Sequence, residues 1–426
     1  MKRRQRSREI YGQALTYDRV YEAWRVVRTT CKNKRELAIF AMNLQANLYS
    51  ILRELREGDY RPDPYRAFMI FEPKARLVMS QSVRDKIVNH FVANNYLLPY
   101  LEQSLIEANV ATRKGRGGAM GIALTKRYFH QIMVREPGKE IYALKLDISK
   151  YFYSIDHDIL LKKVRRRMYD EKVLDILRRI IDETDSEYIN EAVDFYNNRY
   201  GTDIPHYTKG RGLSIGAMTS QFLAIYYLSD LDHYIKEKLG CRYYVRYMDD
   251  FLILSTSKAK LRRVWRELER KLDTEYHLAL NPKTAIFPCR RGFVFLGFRF
   301  RTHEAKLRVD AAPRTRRRIR LRLRELARQD RLDYWHSLAS YYGYWRATTT
   351  VRRKMPQPDF RWSLADYGAY CRSAGEAEVI LRHRNMLYAM GDFYAGLRGD
   401  MALAYLEQTR DELMECSSEG IALRLW

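Results

Sequence analysis

The sequence predicts an α+β fold in which helices pack around short antiparallel strands. Apolar residues recur at helical spacing through 17–57 and in several later segments. Alternating stretches come in pairs, as in "YRAFMIFEPKARLVMS" at 65–80. The run "YVRYMDDFLILS" at 244–255 divides into two short strands joined by a tight turn around Met248–Asp249. Strand pairs that are close in sequence favour antiparallel sheets, and the helical segments between them favour a mixed fold.

In the first half of the chain, the N-terminal helices are predicted to end at Gly58 and "RPDPY". The strand pair follows, and helical spacing returns at 83–105. The basic, glycine-rich loop "RKGRGG" opens onto a helix at 119–135. "EIYALKLDIS" at 140–149 then alternates, which indicates a strand.

In the second half, an aromatic cluster, "YFYSID", precedes a basic helix near 157–168. Residues 185–210 are polar and rich in tyrosine without a clear period, which indicates an insertion. Helices are predicted at 220–240 and 258–276, with strands around "GFVFLGFRF". An arginine-rich helix at 314–331 has a buried stripe of Ile319, Leu323 and Leu326, and beyond "KMPQPD" a small separate module is expected.

The bulk composition indicates a polyanionic partner. The chain of 426 residues carries a formal net charge of +25 and is 46% hydrophobic, which is typical of a globular protein. Nucleic acid fits this charge better than an anionic membrane, and no apolar run is long enough to span a bilayer. We therefore expect a cytoplasmic protein with no membrane partner. The five cysteines form no CxxC pair or Cys/His cluster, so reduced structural thiols are expected rather than zinc ligands.

Three carboxylates suggest a metal site. Asp249 and Asp250 are adjacent in the predicted hairpin, and Asp147 ends another apolar strand. A pair of aspartates alone also occurs in solvated turns, but three at strand ends can converge on one edge of a sheet. Such a cluster fits two Mg²⁺ ions, which prefer oxygen ligands and would activate a primer hydroxyl and stabilise leaving pyrophosphate. Mn²⁺ is the alternative ion.

The ordered motifs resemble the palm of a reverse transcriptase. "LKLDISKYFYSID" and "YMDD" carry the resemblance, together with blocks in the family's order. These blocks are "EPKARLVMSQSVRDKIV", "ATRKGRG", "GLSIGAMTSQ", "LNPKTAIF" and "FLGFRF". The resemblance implies an α+β right-hand polymerase. The implied parts are an N-terminal helical region (1–60), fingers (61–143), palm (144–304), helical thumb (305–353) and a C-terminal extension (354–426).

The resemblance also implies roles for single residues. Asp147 and Asp249 would be the principal metal ligands, with Asp250 in support and the Ile148 carbonyl within reach of a metal. The residues expected to contact an incoming dNTP are Arg113, Phe152, Ile215, Gly216, Gln221 and Lys283. Phe152 would be a steric gate against a 2′-hydroxyl, with core packing as the alternative for "YFY". Lys283 could pair with the acidic cluster or touch the triphosphate, with a surface lysine as the alternative. Lys114 and Arg116 could contact template or be solvated.

The fourth block departs from most of the family and resembles the diversity-generating retroelement branch. That branch has an aliphatic residue, glycine, three residues and Ser-Gln, here Ile215 to Gln221. An aliphatic side chain cannot hydrogen-bond a nascent base pair as the usual glutamine can. The resemblance implies cDNA synthesis from a template RNA with errors at adenines, and an accessory variability-determinant protein as a further partner. The source would be bacterial, archaeal or phage-encoded.

Two C-terminal features indicate nucleic-acid contacts. Exposed arginines of the 314–331 helix fit the phosphates of an RNA–DNA hybrid, and the residues concerned are Arg316, Arg317, Arg320 and Arg324. The tail at 380–407 resembles the mismatch-recognition module of MutS through "GDFY", where Phe393 could stack on a base. Ala395 replaces the family's glutamate, and a helical tail packed on the protein is an equal alternative.

Three other functions remain open from the sequence. A bacterial anti-phage defence reverse transcriptase copying a non-coding RNA shares the palm blocks. A retron enzyme or intron maturase fits less well, because the Ser-Gln ending is atypical. A catalytically inactive nucleic-acid-binding scaffold is disfavoured, since all three carboxylates are present.

Overall fold

The computed structural model describes residues 10–71, 74–304 and 306–329, together with single positions at 337, 341 and 348. The predicted C-terminal module, including Phe393, and most of the predicted thumb beyond residue 329 lie outside the described residues. The chain divides into two compact units, one containing Tyr142–Ile286 and the residues up to Tyr128, the other Phe129–Ile141 and the residues from Phe287 onward. Helices and antiparallel sheets coexist, which confirms the α+β prediction. Within the described part of the chain, no helix is long and apolar enough to cross a membrane.

The first unit begins with four helices, as the helical spacing predicts. They are α1 (Tyr11–Ala14), α2 (Tyr17–Thr30), α3 (Lys34–Met42) and α4 (Leu44–Glu57). Thr16 and Asn33 each cap a helix by accepting a hydrogen bond from a backbone N–H. Gly58 ends α4 with φ +76°, a conformation that most side chains disfavour.

A hairpin and three further helices follow. Strands β1 (Arg66–Ile70) and β2 (Arg76–Ser80) are antiparallel, with Ala67 opposite Met79. The helices are α5 (Val83–Val92), α6 (Leu98–Leu101) and α7 (Gly118–Arg135), and a π-helical turn at Ala93–Leu97 joins the first two. These positions match the predicted strand pair and helices.

The central sheet carries the aspartates. Its strands are β3 (Tyr142–Asp147), β4 (Tyr244–Tyr247), β5 (Asp250–Ser255) and β6 (Ala285–Pro288), in the order β4-β5-β3-β6. The helices around it are α8 (Tyr151–Ser154), α9 (His157–Arg165), α10 (Glu171–Asp182), α11 (Glu187–Tyr200), α12 (Met218–Tyr227), α13 (Ser229–His233) and α14 (Lys258–Tyr276). One sheet face, with Leu144, Leu146, Phe251 and Ile253, belongs to the main buried core. The hairpin predicted at 244–255 is therefore present, with its turn at Met248–Asp249.

Residues 185–210, interpreted from the sequence as an insertion without a clear period, do contain a regular helix. They contain α11, whose Ile189 and Val193 are buried. Ile189 belongs to a small core with Met79, and Val193 to another with Leu77, both on β2. The helical period is hidden in the sequence because only this narrow stripe is buried and the rest of the helix is polar.

The second unit contains a three-stranded sheet and the basic helix. Strands β7 (Phe293–Phe295), β8 (Phe298–His303) and β9 (Lys306–Ala311) are consecutive antiparallel neighbours, followed by α15 (Pro313–Gln329). The predicted stripe on α15 is confirmed, since Ile319, Leu323 and Leu326 are buried. Arg316 is half-buried, and the exposed arginines include Arg317, Arg320 and Arg324.

Candidate active site

The three predicted aspartates lie together at one end of the central sheet. Asp147, the last residue of β3, is the direct cross-strand partner of Asp250, the first residue of β5. Directly opposite residues point to the same face, with Cβ atoms about 5 Å apart. Asp249 lies in the turn immediately before Asp250. The antiparallel register therefore brings together carboxylates that are distant in sequence.

All three carboxylates are harder to ionise than usual. Burial, with the charges of Asp147 and Asp249, raises the pKa of Asp250 to about 7 against the lowering effect of Lys145. Burial also raises the pKa of Asp249, and the charge of Asp147 adds to this effect. Burial raises the pKa of Asp147 against the attraction of nearby lysines. Like charges in a partly dry site repel one another and favour either protons or a bound cation.

The donor set fits a divalent metal ion. Oδ1 of Asp250 is buried and has no hydrogen-bond partner among the described residues. A buried oxygen without a partner costs free energy, and coordination of a hard cation removes that cost. Ile148 lies opposite Leu280 in an antiparallel bridge. The hydrogen bonds of this bridge are made by the backbones of Asp147 and Ser149 and not by Ile148 itself. The Ile148 carbonyl is therefore not used by this bridge.

Cationic side chains surround the carboxylates, and Arg246, described below, is one of those that lower the pKa of Asp249. Nζ of Lys145 lies 3.4 Å from Oδ2 of Asp250. Lys283 and Lys74, like Lys145, lower the pKa of Asp147, and Arg76 lowers that of Asp249. Of these, only Lys283 was identified from the sequence. Lys145 could have been found from its position two residues before Asp147, because alternate residues share a strand face.

Arg113 is engaged within its own segment. Its Nε lies 3.2 Å from Glu102, and its Nη1 donates to the carbonyls of Ile106 and Asn109. The guanidinium thus stabilises the turn that precedes α7. Neighbouring Lys114 is exposed and Arg116 is half-buried.

The aromatic cluster after Asp147 separates into three environments. Tyr151 is buried, and its hydroxyl donates to the carbonyl of Ala224. Tyr153 packs against Tyr207, with ring centroids 4.7 Å apart. Phe152 is half-buried. It packs against the main buried core and meets the Tyr151 ring edge-on, with ring centroids 6.0 Å apart, so only part of its surface remains accessible.

The fourth block forms a loop that is bonded to the hairpin. The N–H of Met79 donates to the carbonyl of Ile215 at 2.9 Å. Gly216 has φ +132°, and a Cβ atom there would lie 2.9 Å from the Met79 carbonyl oxygen. The Ile215 side chain and Gln221 are half-buried. The glycine therefore permits the close approach that fixes Ile215 against β2.

A second cluster, His157 with Asp182 and Asp185, has ligand atoms within 4.8 Å of one another. Its atoms are already hydrogen-bonded. The two ring nitrogens of His157 lie 2.9 Å from Asp182 and 2.6 Å from the Gly212 carbonyl, and Asp185 accepts from the Gly210 N–H. With both ring nitrogens bonded to acceptors, this cluster holds the loop before Ile215 rather than a metal.

Comparison with known proteins places these blocks in context. Residues 71–300 match the family model described as reverse transcriptase (RNA-dependent DNA polymerase). Protein YkfC of Escherichia coli strain K12 is 25% identical over 308 residues, which are 62% of this chain and 76% of that protein. Telomerase from Candida albicans, in complex with a fragment of telomeric RNA, aligns with 83% of this chain and 67% of its own at 11% identity and a TM-score of 0.43. Apo telomerase from Candida tropicalis aligns with 85% and 68% at 10% identity and a TM-score of 0.43.

Proposed function

The chain belongs to the reverse transcriptase family, whose model matches more than half of it, and on this premise we propose which residues polymerise DNA and how accurately they do so. The fold is an α+β right-hand polymerase, and the enzyme is an RNA-directed DNA polymerase. Asp147, Asp249 and Asp250 are its proposed active site. The observation that supports this most strongly is the register that sets Asp147 opposite Asp250, next to the turn that carries Asp249.

Two Mg²⁺ ions, or Mn²⁺, are the proposed cofactors. Asp147, Asp249 and the Ile148 carbonyl would hold them, and Asp250 would support them while paired with Lys145. When bound, such ions activate the primer hydroxyl and stabilise the leaving pyrophosphate. The unpartnered oxygen of Asp250 and the raised pKa values of all three carboxylates favour this assignment.

The cationic groups around the carboxylates suit the triphosphate of a dNTP. Lys283, with Lys74 and Arg76 from the hairpin region, supplies positive charge on this side of the sheet. Arg113 would join them only if its ion pair with Glu102 opened. Phe152 is proposed as the ring that excludes a 2′-hydroxyl.

Nucleic acid is the proposed occupant of the basic surfaces. Lys114 and Arg116 would contact the template RNA. Phosphates of the RNA–DNA hybrid would be bound by arginines of α15 that do not contribute to its buried stripe. These are Arg316, Arg317, Arg320 and Arg324.

Primer extension on an RNA template tests the active site. Asp249→Asn removes a charged ligand at nearly constant volume and is expected to abolish extension with Mg²⁺. Asp158→Asn is the matched control, because this carboxylate on α9 is 84% exposed. Equal activity of wild type and Asp249→Asn would reject the site, whereas equal inactivity of wild type and variant would favour a non-enzymatic scaffold.

We further propose that the polymerase copies adenines inaccurately and that these errors diversify a target sequence. An accessory variability-determinant protein is the proposed partner. The supporting observation is Ile215, an aliphatic residue fixed by the Met79 hydrogen bond at the block where most of the family has glutamine. Its side chain offers no hydrogen bond that could report the geometry of a base pair.

Sequencing of cDNA made on an adenine-rich template tests this proposal. Ile215→Gln should lower misincorporation opposite adenine, and Ile215→Val is the apolar control that should leave it unchanged. Unchanged misincorporation in Ile215→Gln would reject the role of Ile215. A repeat pair of template and variable sequence beside the gene supports diversification, whereas a non-coding RNA without such a pair supports anti-phage defence.

A further inference from the structure

Arg246 is a fully buried charged residue directly before the "YMDD" turn. The side chains of Arg246 and Asp232 are both 0% exposed. Nε of Arg246 donates to Oδ1 of Asp232 at 2.7 Å, and Nη2 lies 2.5 Å from Oδ2, so the two planar groups meet at two points. Tyr244 also donates to Asp232, at 2.6 Å. The charge on β4 is thereby neutralised by an acid on α13.

The remaining donors of the guanidinium reach two other segments. Nη2 donates to the Ile225 carbonyl on α12, and Nη1 donates to the Met248 carbonyl, each at 2.9 Å. The backbone of Arg246 is bonded as well, because its N–H donates to Ala108 and its carbonyl accepts from Val110. One side chain therefore connects α12, α13 and the catalytic turn. A lysine has no rigid fork of donors and could not bond all of these acceptors.

The contact with Met248 bears on Asp249. Met248 has φ +55°, a left-handed conformation that is unfavourable for a residue with a side chain. Its carbonyl and the N–H of Asp249 belong to the same planar peptide group. A hydrogen bond that fixes this oxygen therefore fixes the direction in which the chain enters Asp249.

Stability alone is a weak reason for such an arrangement. Replacing a buried ion pair by well-packed apolar residues is often neutral or stabilising, because two charges must be removed from water. Orientation of the turn is a task that an apolar pair could not perform, since it has no donor for the Met248 carbonyl.

We propose that Arg246, held by Asp232, is a positioning residue that sets the orientation of the Met248–Asp249 peptide and so the placement of the Asp249 carboxylate for metal binding. The proposal rests on the assignment of Asp249 to the active site. Loss of an outer residue that orients a metal ligand typically weakens metal affinity or activity by about 10- to 100-fold.

The test uses the full-length protein with template and primer, and measures Mn²⁺ binding directly from the electron paramagnetic resonance signal of free Mn²⁺. Arg246→Lys keeps the charge but loses the fork. We expect weaker Mn²⁺ binding and a lower kcat, each by about 10- to 100-fold, with little change in the KM for dNTP. Lys163→Met is the control, because Lys163 is a buried cation whose Nζ lies 2.8 Å from the half-exposed Asp230, and no contact between Lys163 and the turn is found among the described residues.

Either of two results with these single variants would overturn the proposal. One is wild-type Mn²⁺ affinity and kcat in Arg246→Lys, and the other is an equal loss in Lys163→Met. If Arg246→Lys does not fold, the combined variant Arg246→Met, Asp232→Leu and Tyr244→Phe removes the charges and hydroxyl together. Wild-type Mn²⁺ affinity in that folded variant would overturn the proposal, and weakened binding would support it.

Asp249→Ala separates this inference from the proposed function. If Asp249→Ala binds Mn²⁺ as the wild type does, the active-site assignment itself fails. If Asp249→Ala loses Mn²⁺ binding and Arg246→Lys does not, the assignment stands and the positioning role fails.

Discussion

Substitution of Gly216 by alanine should disturb the fourth block in a measurable way. The φ of +132° disfavours any side chain, and an added Cβ would lie 2.9 Å from the Met79 carbonyl oxygen and 3.2 Å from Val78. Backbone strain of this kind costs about 1 to 3 kcal/mol. Loss of the Met79–Ile215 hydrogen bond costs a further 0.5 to 1.5 kcal/mol, roughly. We expect Gly216→Ala to lower the free energy of unfolding by about 1.5 to 4.5 kcal/mol, or by less if the loop moves away.

Urea denaturation followed by circular dichroism measures the stability term, and steady-state primer extension measures its consequence. A loop displaced from β2 should raise the KM for dNTP. Gly118→Ala is the control, because Gly118 has no positive φ and nothing lies within 4 Å of its added Cβ. A Gly216→Ala variant with wild-type stability and an unchanged KM would refute the role assigned to the close approach.

Three further predictions concern Phe152, His157 and the basic helix α15. Phe152→Ala should reduce discrimination against ribonucleotides by about tenfold or more, measured as the ratio of kcat/KM for dATP and ATP, while Tyr153→Ala should not. Burial lowers the pKa of His157, but hydrogen bonds to Asp182 and the Gly212 carbonyl outweigh it and leave the pKa above its usual 6.5. The stability that charged His157 supplies is therefore fully present below about pH 6.5 and lost as pH rises through the folded pKa. In urea denaturation, the free energy of unfolding of the wild type should exceed that of His157→Gln by an amount that decreases with rising pH. A difference that does not change with pH would contradict this. The exposed arginines of α15 to be tested are Arg317, Arg320 and Arg324. Neutralising all three should reduce the slope of log K against log salt for binding of an RNA–DNA hybrid by about 2 to 3. An unchanged slope would exclude these arginines from the interface.

Local chemistry explains why much of the fold could be predicted. The hairpin around Met248–Asp249 follows from alternation on both sides of a tight turn, and α14 and α15 follow from one apolar stripe each. Helix α11 was missed because its buried stripe contains only Ile189 and Val193. The surface that this stripe covers belongs to β2, a segment more than a hundred residues earlier in the chain.

The candidate site also contains residues whose role the sequence predicts and residues whose contacts it does not predict. The residue types of Asp147, Asp249 and Asp250, and the order of the blocks around them, were sufficient to predict a polymerase and its carboxylates. The engagement of Arg113 with Glu102 was not predictable, because an arginine in a basic loop looks the same whether it faces a triphosphate or an acid nearby.

The sequence by itself determined the chemistry: three carboxylates at strand ends, a basic chain and an aliphatic residue in the fourth block. Only the tertiary structure decided which charges meet. The β3–β5 register sets Asp147 opposite Asp250, and the packing of α13 against β4 buries Arg246 on Asp232. Strand periodicity and turn preference act over a few residues, whereas charge pairing depends on distances between segments far apart in the chain. For that reason the sequence shows the residues of the "YMDD" turn, and the fold shows what holds the turn in place.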